Sequence, residues 1–455
     1  MSQGEDTIAA IATAPGRGGI GIVRLSGRDA LRIGECVAGR RLAPRHAHHA
    51  IFLDADGSPV DDGIAIAFHA PRSFTGEHVV ELQGHGGPAV LHRLLSSCLA
   101  LGARPARPGE FSERAFLNGR IDLAQAEAIA DLVEAASTEA ARAALRSLQG
   151  VFSERVRALM DAVTKLRVWV EAAIDFPDED VDFIADGDVE GRIEGIVTEL
   201  ESVRREARQG ALLAEGMTVV LAGAPNAGKS SLLNALARRD AAIVTEIPGT
   251  TRDVLRERID LDGMPLHVVD TAGLRLTEDR VEAEGVRRAL AEIERADALL
   301  YLVDVSGEEP MPSDRATLQA LVGGVLPPFV LLLRNKIDLL TGERARLVDD
   351  AGLPSLALSV RTGEGLDLLS SALKRLVEFD GGEGSTFTAR TRHLAALAEA
   401  RTALEDAAAT LVATGAGDLV ADDLRRAHDA LGRIVGEITP DDLLGEIFSS
   451  FCIGK

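Results

Sequence analysis

Residues 223–230 read GAPNAGKS, a glycine-rich turn closed by Gly-Lys-Ser. That spacing suits a phosphate group. The glycines let backbone N–H groups turn inward, Lys229 adds a compact point charge, and Ser230 offers a hydroxyl to Mg²⁺. An apolar run, 217–223 (MTVVLAG), precedes the turn, and 230–238 (SSLLNALAR) has the spacing of a helix whose N-terminal dipole favours anions. The use of lysine is itself informative. Of 49 basic residues only five are lysine: Lys165, Lys229, Lys336, Lys374 and Lys455. Where arginine is the default cation, lysine marks places that a wide planar fork does not fit.

Base recognition is expected from residues 335–338 (NKID), at the end of the apolar run 329–335 (FVLLLRN). This element resembles the N-K-x-D of the Ras-like GTPase superfamily. The resemblance implies that the Asp338 carboxylate accepts from the guanine ring N–H and 2-amino group. Adenine lacks those donors, so GTP is selected over ATP. Lys336 would lie along the base and ribose. Asn335 is one of only four asparagines, and Ser359 opens a loop, 359–361 (SVR), that matches the last base-contacting element loosely.

Two further segments complete the phosphate chemistry. Residues 270–273 (DTAG) end an apolar run; Asp270 suits the water shell of Mg²⁺ and the Gly273 N–H suits the γ-phosphate. Residues 249–253 (GTTRD) supply Thr251, whose hydroxyl would complete the Mg²⁺ shell. Leu274 stands where Ras-like proteins carry the glutamine that orients the attacking water, and leucine cannot do that. Glu278, Glu282 and Glu284 follow it, although for any one of them a solvated acidic face is the default reading. Asn226 and the loop 245–251 (TEIPGTT) offer oxygens near the β- and γ-phosphates, where a monovalent cation would supply the positive charge of an arginine finger.

These motifs need elements to hold them. The chain has 455 residues, enough for two to four domains, and 46% of it is apolar. Residues 1–120 read as mixed α/β, with candidate strands 20–26, 63–70 and 78–84 and a helix over 89–100. Residues 121–216 turn helical: no proline falls between Pro108 and Pro177, and Ala, Glu, Leu and Arg dominate. The acidic run 175–182 (DFPDEDVD) marks a turn there. Residues 217–379 alternate strand and helix, with near-continuous apolar runs at 217–223, 265–270, 298–304, 329–335 and 356–359 that suit a parallel sheet covered on both faces. Residues 380–455 are helical again. The economical arrangement is one helical domain with a Ras-like α/β module inserted into it, since each flank alone is small.

Charge and rare residues exclude several classes. The net charge is −22, distributed as +1, −11, −6 and −6 over the four segments, so no part grips nucleic-acid phosphate by charge alone. Aromatic residues are 3%, too few for base-stacking platforms. Cys36, Cys98 and Cys452 form no disulfide or zinc pattern. The first residues, MSQGEDTIAA, lack a signal peptide's basic-then-apolar run, and no stretch reaches the length of a membrane span. The expected location is the cytoplasm.

The chain also carries 6–27 (DTIAAIATAPGRGGIGIVRLSG), 81–87 (ELQGHGG), 109–133 (GEFSERAFLNGRIDLAQAEAIADLV) and 450–455 (SFCIGK). Together with the inserted phosphate-loop module, these resemble the MnmE, or TrmE, family of tRNA-modification GTPases over the whole length. The resemblance implies a GTP hydrolase that works with the flavoprotein MnmG, in a heterotetramer, on carbon 5 of the wobble uridine of certain tRNAs. It implies an aminomethyl or carboxymethylaminomethyl product and a one-carbon unit from a tetrahydrofolate derivative, 5-formyl- or 5,10-methylene-. It further implies a homodimer built on a folate-binding-like first domain, with K⁺-dependent pairing of the G domains.

Site roles carry over position by position. GTP binding falls on Asn226, Ala227, Gly228, Lys229, Ser230 and Ser231; on Thr245, Glu246, Ile247, Pro248, Gly249, Thr250 and Thr251; on Asp270, Thr271, Ala272 and Gly273; and on Asn335, Lys336, Asp338 and Ser359. Mg²⁺ falls on Ser230 and Thr251, K⁺ on Asn226, Thr245, Ile247 and Thr250. Glu282 takes the water-orienting role over Glu278 and Glu284. Arg24, Glu81, Arg120 and Lys455 match the folate contacts, with Arg120 standing where many members have lysine. Cys452 matches a terminal cysteine proposed as catalytic, although a cysteine between Phe451 and Ile453 reads equally as a buried hydrophobe. A ribosome-assembly GTPase that binds RNA without modifying it is the rival; such proteins carry a basic appendage that is missing here. A folate-dependent one-carbon enzyme regulated by a GTPase is a third.

Overall fold

The structure, a computed structural model, describes residues 6–135, 137–175, 188–239, 256–261, 263–270, 290–307, 311–348, 353–376, 387–437 and 441–454. The first elements are β1 (Ile8–Ile11), β2 (Gly18–Ser26), α1 (Ala30–Val37), β3 (His48–Leu53), β4 (Pro59–Phe68), β5 (Val79–Gly86), α2 (Pro88–Ala100), β6 (Arg104–Pro105) and α3 (Glu110–Leu117). Helices α4 (Leu123–Glu134), α5 (Thr138–Leu148), α6 (Val151–Asp175) and α7 (Val189–Glu215) follow. Then come β7 (Met217–Gly223), α8 (Lys229–Arg239), β8 (Arg256–Leu261), β9 (Met264–Asp270), β10 (Ala298–Asp304), α9 (Arg315–Val322), β11 (Phe329–Asn335), β12 (Arg346–Val348), β13 (Ser355–Ala357) and α10 (Leu366–Leu376). The last are α11 (Thr391–Thr414), α12 (Gly417–Val435) and α13 (Asp441–Ser449). None of the described helices is long and apolar enough to cross a membrane.

The chain forms two compact units. One holds Met1–Ala130, Val156–Gly187 and Asp406–Lys455; the other holds Asp131–Arg155 and Asp188–Glu405. In the first unit a six-stranded sheet runs β3-β4-β5-β2-β1-β6, antiparallel except for β1 with β6. Alternation decides its faces. Val23, Leu25, Phe52, Val80 and Leu82 point to a core closed by Ile33 and Val37 of α1 and Leu91 and Leu94 of α2. The residues between them, Arg24, Glu81 and Gln83 with the exposed Ile20, Ile51 and Ile64, form the other face.

A charged network ties α3 to this unit. Arg114 donates to both Glu77 oxygens at 3.1 Å, to Glu110 Oε1 at 3.2 Å and to Asp6 Oδ1 at 2.7 Å. Arg104 Nη1 and the Arg107 amide both donate to Glu110 Oε2, at 2.9 and 2.8 Å. Burial alone would raise the Glu110 pKa, but Arg104 and the Arg107 amide overcome it and hold the carboxyl below its ordinary value. A group held low adds stability above its unfolded value and loses it as pH falls through the folded one. Removing one partner of such a buried pair costs about 3–5 kcal/mol. Glu110→Gln is therefore expected to lower the melting temperature at neutral pH and to flatten its fall below pH 4.5, the ordinary value for the group. An acid limb identical to that of the unsubstituted chain would remove Glu110 from this role.

In the second unit the sheet runs β12-β13-β11-β10-β7-β9-β8. Its interior pairs are parallel, as the apolar runs require, whereas the edge strands β8 and β12 are antiparallel. Both faces are buried. Leu221, Leu300 and Leu333 pack towards Leu232 and Leu236 of α8 and Leu369 and Leu373 of α10. Val220, Leu299 and Leu332 pack towards Leu318 and Val322 of α9. Five expected strands differ from the observed ones in their bounds: 20–26 is Gly18–Ser26, 63–70 is Pro59–Phe68, 78–84 is Val79–Gly86, 265–270 is Met264–Asp270, and 356–359 is Ser355–Ala357. The acidic run's expected turn lies, from 176 onward, outside the described residues.

Candidate functional site

The carboxyl ends of β7, β10 and β11 meet where the strand order reverses from β9 to β10, the place open α/β sheets keep for ligands. A cavity of about 840 Å³ opens there, a size that suits a nucleotide. The phosphate turn and α8 supply Asn226, Gly228, Lys229, Ser230 and Ser231 to its wall; the end of β11 and the residues after it supply Asn335, Lys336 and Asp338; and Val360 and Arg361 complete it.

Hydrogen bonds hold these groups in one arrangement. The Lys229 ammonium is buried and donates to the Gly223 carbonyl at 2.7 Å and the Ala224 carbonyl at 3.0 Å. Asn335 Nδ2 donates to the Ala227 carbonyl at 2.8 Å, and Asn335 Oδ1 accepts from the Val360 amide at 3.1 Å. One side chain thus fastens the phosphate turn to the base loop. Gly228 makes that approach possible: its φ is +107°, and a Cβ there would sit 2.4 Å from Asn335 Nδ2. Ser359 Oγ donates to Asp338 Oδ1 at 2.6 Å, and Arg361 Nη1 lies 3.8 Å from Oδ2. Asn226 and Lys336 both adopt left-handed backbone, φ 66° and 73°, which costs a non-glycine residue about 1 kcal/mol. Asn226 and Ser230 present hard oxygen donors to the cavity, the chemistry K⁺ and Mg²⁺ take.

A second cluster lies on the other face of the first unit's sheet, beside the part that Phe111 of α3 covers by packing on Ile8 and Ala10. Arg24 and Glu81 are cross-strand partners, with Arg24 Nε and Nη2 at 3.0 and 2.9 Å from Glu81 Oε1. Arg24 Nη1 also donates to the Gly454 carbonyl at 3.2 Å. The chain's last described residues are seated there by an Ile453–Pro108 bridge and by Gly454, whose φ is +94° and whose lack of a Cβ avoids a 2.5 Å clash with the Ile11 carbonyl. The half-exposed Phe74 ring lies 6.0 Å from the Arg24 guanidinium carbon. In the same loop, the Gly76 Cβ position is 3.3 Å from Arg120 Cγ. Cys452 is exposed, not a buried hydrophobe.

Family models match nearly the whole chain: "MnmE helical domain" over residues 123–452 and "GTP-binding protein TrmE N-terminus" over residues 7–120. The chain is 60% identical to the tRNA modification GTPase MnmE of Pseudomonas paraeruginosa and 59% identical to that of Pseudomonas aeruginosa strain UCBPP-PA14, over 100% of both chains in each case. The chain belongs to the MnmE family of tRNA modification GTPases. It is therefore a GTP hydrolase, with the family's N-terminal domain, helical domain and Ras-like GTPase module. Among solved structures, the G domain of the T. maritima FeoB iron transporter is 25% identical over 36% of this chain and 98% of that one, with a TM-score of 0.26. At that score the likeness adds nothing to the MnmE assignment.

Of the residues singled out for MnmE-type roles, the structure gathers Asn226, Ala227, Gly228, Lys229, Ser230, Ser231, Asn335, Lys336, Asp338 and Ser359 at one cavity or its supports. Arg24 and Glu81 meet directly, and Arg120 borders the same loop as Arg24. Asp270 is placed by its backbone at the end of β9. Thr245, Glu246, Ile247, Pro248, Gly249, Thr250, Thr251, Thr271, Ala272, Gly273, Glu278, Glu282, Glu284 and Lys455 lie outside the described residues. Reading the sequence missed Asp304, while Val360 and Arg361 belong to the loop 359–361 that it matched loosely to the last base-contacting element and that does line the cavity. Asp304 had a legible signal, an aspartate closing an apolar run at the carboxyl end of a parallel strand.

Proposed function

We propose that this chain modifies carbon 5 of the wobble uridine of certain tRNAs in the cytoplasm, as a homodimer joined to the flavoprotein MnmG in a heterotetramer. It would install an aminomethyl or carboxymethylaminomethyl group with a one-carbon unit from 5-formyl- or 5,10-methylene-tetrahydrofolate. The observation that carries this reading is the Arg24 guanidinium shared between Glu81 and the Gly454 carbonyl. A chain that only switched on GTP would have no reason to bring its residues 450–454 to a cation–carboxylate pair beside an exposed phenyl ring. The residues fit a folate. Arg24 and Arg120 suit carboxylate and ring-carbonyl groups, and Phe74 offers a face to a flat ring. Residues 1–120 form the folate-binding and dimerisation domain, 217–379 the G domain, and 121–216 and 380–455 the helical domain. The exposed apolar residues Ile20, Ile51 and Ile64 on that sheet face support dimerisation, because such residues are stable when a second copy covers them.

In the G domain Lys229 and the amides of the phosphate turn bind the β- and γ-phosphates, and Asp338 reads guanine. Ser230 and Thr251 would hold Mg²⁺; Asn226, Thr245, Ile247 and Thr250 would hold K⁺. These ions, when bound, supply positive charge to the developing charge of phosphoryl transfer. Glu282 orients the attacking water in place of Leu274. Cys452 is assigned to the modification chemistry beside the folate. The test is the nucleoside content of tRNA from a strain lacking this chain. Loss of the wobble-uridine modification, restored by the intact chain and not by Arg24→Ala, is expected. Unmodified levels identical to wild type would leave only a GTPase that binds RNA.

A further inference from the structure

The Lys336 ammonium, at the wall of the nucleotide cavity, does not point into open solvent. It lies 2.6 Å from Asp304 Oδ2, across the junction of β10 and β11, whose last residues Asp304 and Asn335 are in register. Asp304 is itself pre-oriented. Its Oδ1 accepts from the Ser306 amide at 2.9 Å and the Ser306 hydroxyl at 2.6 Å, which leaves Oδ2 for the lysine. The Val305 amide donates to the Asn335 carbonyl at 3.1 Å and fixes the same junction from the backbone. Lys336 contributes to the cavity wall and Asp304 does not.

A lysine has four rotatable stem bonds and loses much of their freedom when a ligand lies against it. An ion pair made behind the cavity orders that stem before the ligand arrives. The left-handed backbone at Lys336, φ 73°, shows the same preference for one fixed geometry at this residue. We propose that Asp304 is a positioning residue of the base site: it holds Lys336 extended so that the methylene stem forms a preset wall for the purine and ribose of a guanine nucleotide. The inference rests on the guanine-site reading of Asn335, Lys336 and Asp338, and it adds a residue to which no role has been given.

The purified full chain, with fluorescent GDP as probe, tests it. Asp304→Asn should raise the GDP dissociation constant about two- to tenfold, mostly through faster release, the range expected when one long side chain must be ordered on binding. Its KM for GTP should rise in parallel while kcat stays within about twofold, since Asp304 faces no phosphate group. Asp304→Glu should recover part of the affinity. In a Lys336→Met background the Asp304→Asn effect should vanish, because the two act as one. An unchanged dissociation constant in Asp304→Asn, or an undiminished effect in the Lys336→Met background, overturns the proposal. If Asp304→Asn does not fold, Asp304→Glu serves: wild-type release kinetics in that variant and in Lys336→Met also overturn it. A chain that binds ADP as tightly as GDP fails at the guanine site itself, a different result from one that prefers GDP and ignores Asp304.

Discussion

Replacing Asp338 by asparagine is expected to weaken GTP binding by about 10²–10⁴-fold and to admit xanthosine triphosphate. The carboxylate supplies two acceptors, and hydrogen bonds to a charged group contribute about 1.5–3 kcal/mol each. On the guanine-site reading, the Ser359 hydroxyl selects which half of the amide would meet the base. Ser359 Oγ donates to Asp338 Oδ1 at 2.6 Å, so an asparagine keeps its oxygen on that side. Its NH₂ then takes the other position, where it opposes the 2-amino group of guanine and donates to the 2-oxo group of xanthine. Equilibrium binding of GTP, XTP and ATP to the variant checks this. Equal loss for GTP and XTP would mean that Asp338 is structural and does not read the base.

Glu282→Ala is expected to lower kcat by about 10²–10⁴-fold, the range for a positioned group acting on a reacting proton, with GTP affinity nearly unchanged. The reason is Leu274, which leaves the water without the side chain that Ras-like proteins use. Single-turnover hydrolysis in K⁺ buffer, beside a GTP binding isotherm, separates the two quantities. K⁺ is included in that assay because the proposed function gives Asn226, which lines the cavity from a left-handed backbone position, to that ion. Full turnover in Glu282→Ala would pass the role to Glu278 or Glu284. Loss of binding would instead place Glu282 among the groups that hold the nucleotide.

The strands that carry the nucleotide motifs were legible nearly to the residue. Runs 217–223, 298–304 and 329–335 coincide with β7, β10 and β11, because a central parallel strand is buried on both faces and must be continuously apolar. Edge strands escaped notice. Strand β8, RERIDL, opens with three charged residues and alternates with apolar ones only from Arg258, and β12 has only three residues. In the first unit, β4 begins at Pro59 rather than at 63, since Asp61 and Asp62 look like loop and are in fact the polar end of a half-covered strand. The site divided in the same way. Local motifs showed Lys229, Asn335 and Asp338. The clasp of Asn335 on Ala227, the Asp304–Lys336 pair and the Arg24–Gly454 bond join residues 108, 32 and 430 positions apart, and no local pattern encodes them.

That last separation bears on how the molecule is made. A ribosome adds about 5–20 residues per second. The partner of Arg24 therefore emerges roughly 20–90 s after it, at that rate of synthesis. Glu81 is ready within the first seconds, so half of the cluster assembles early and waits. All of the second unit is translated before the carbonyl that completes the cluster. Asn226 to Arg361, which bound the nucleotide cavity in sequence, are translated before Gly454, so the Arg24–Gly454 bond is the last of these three long-range contacts that can form.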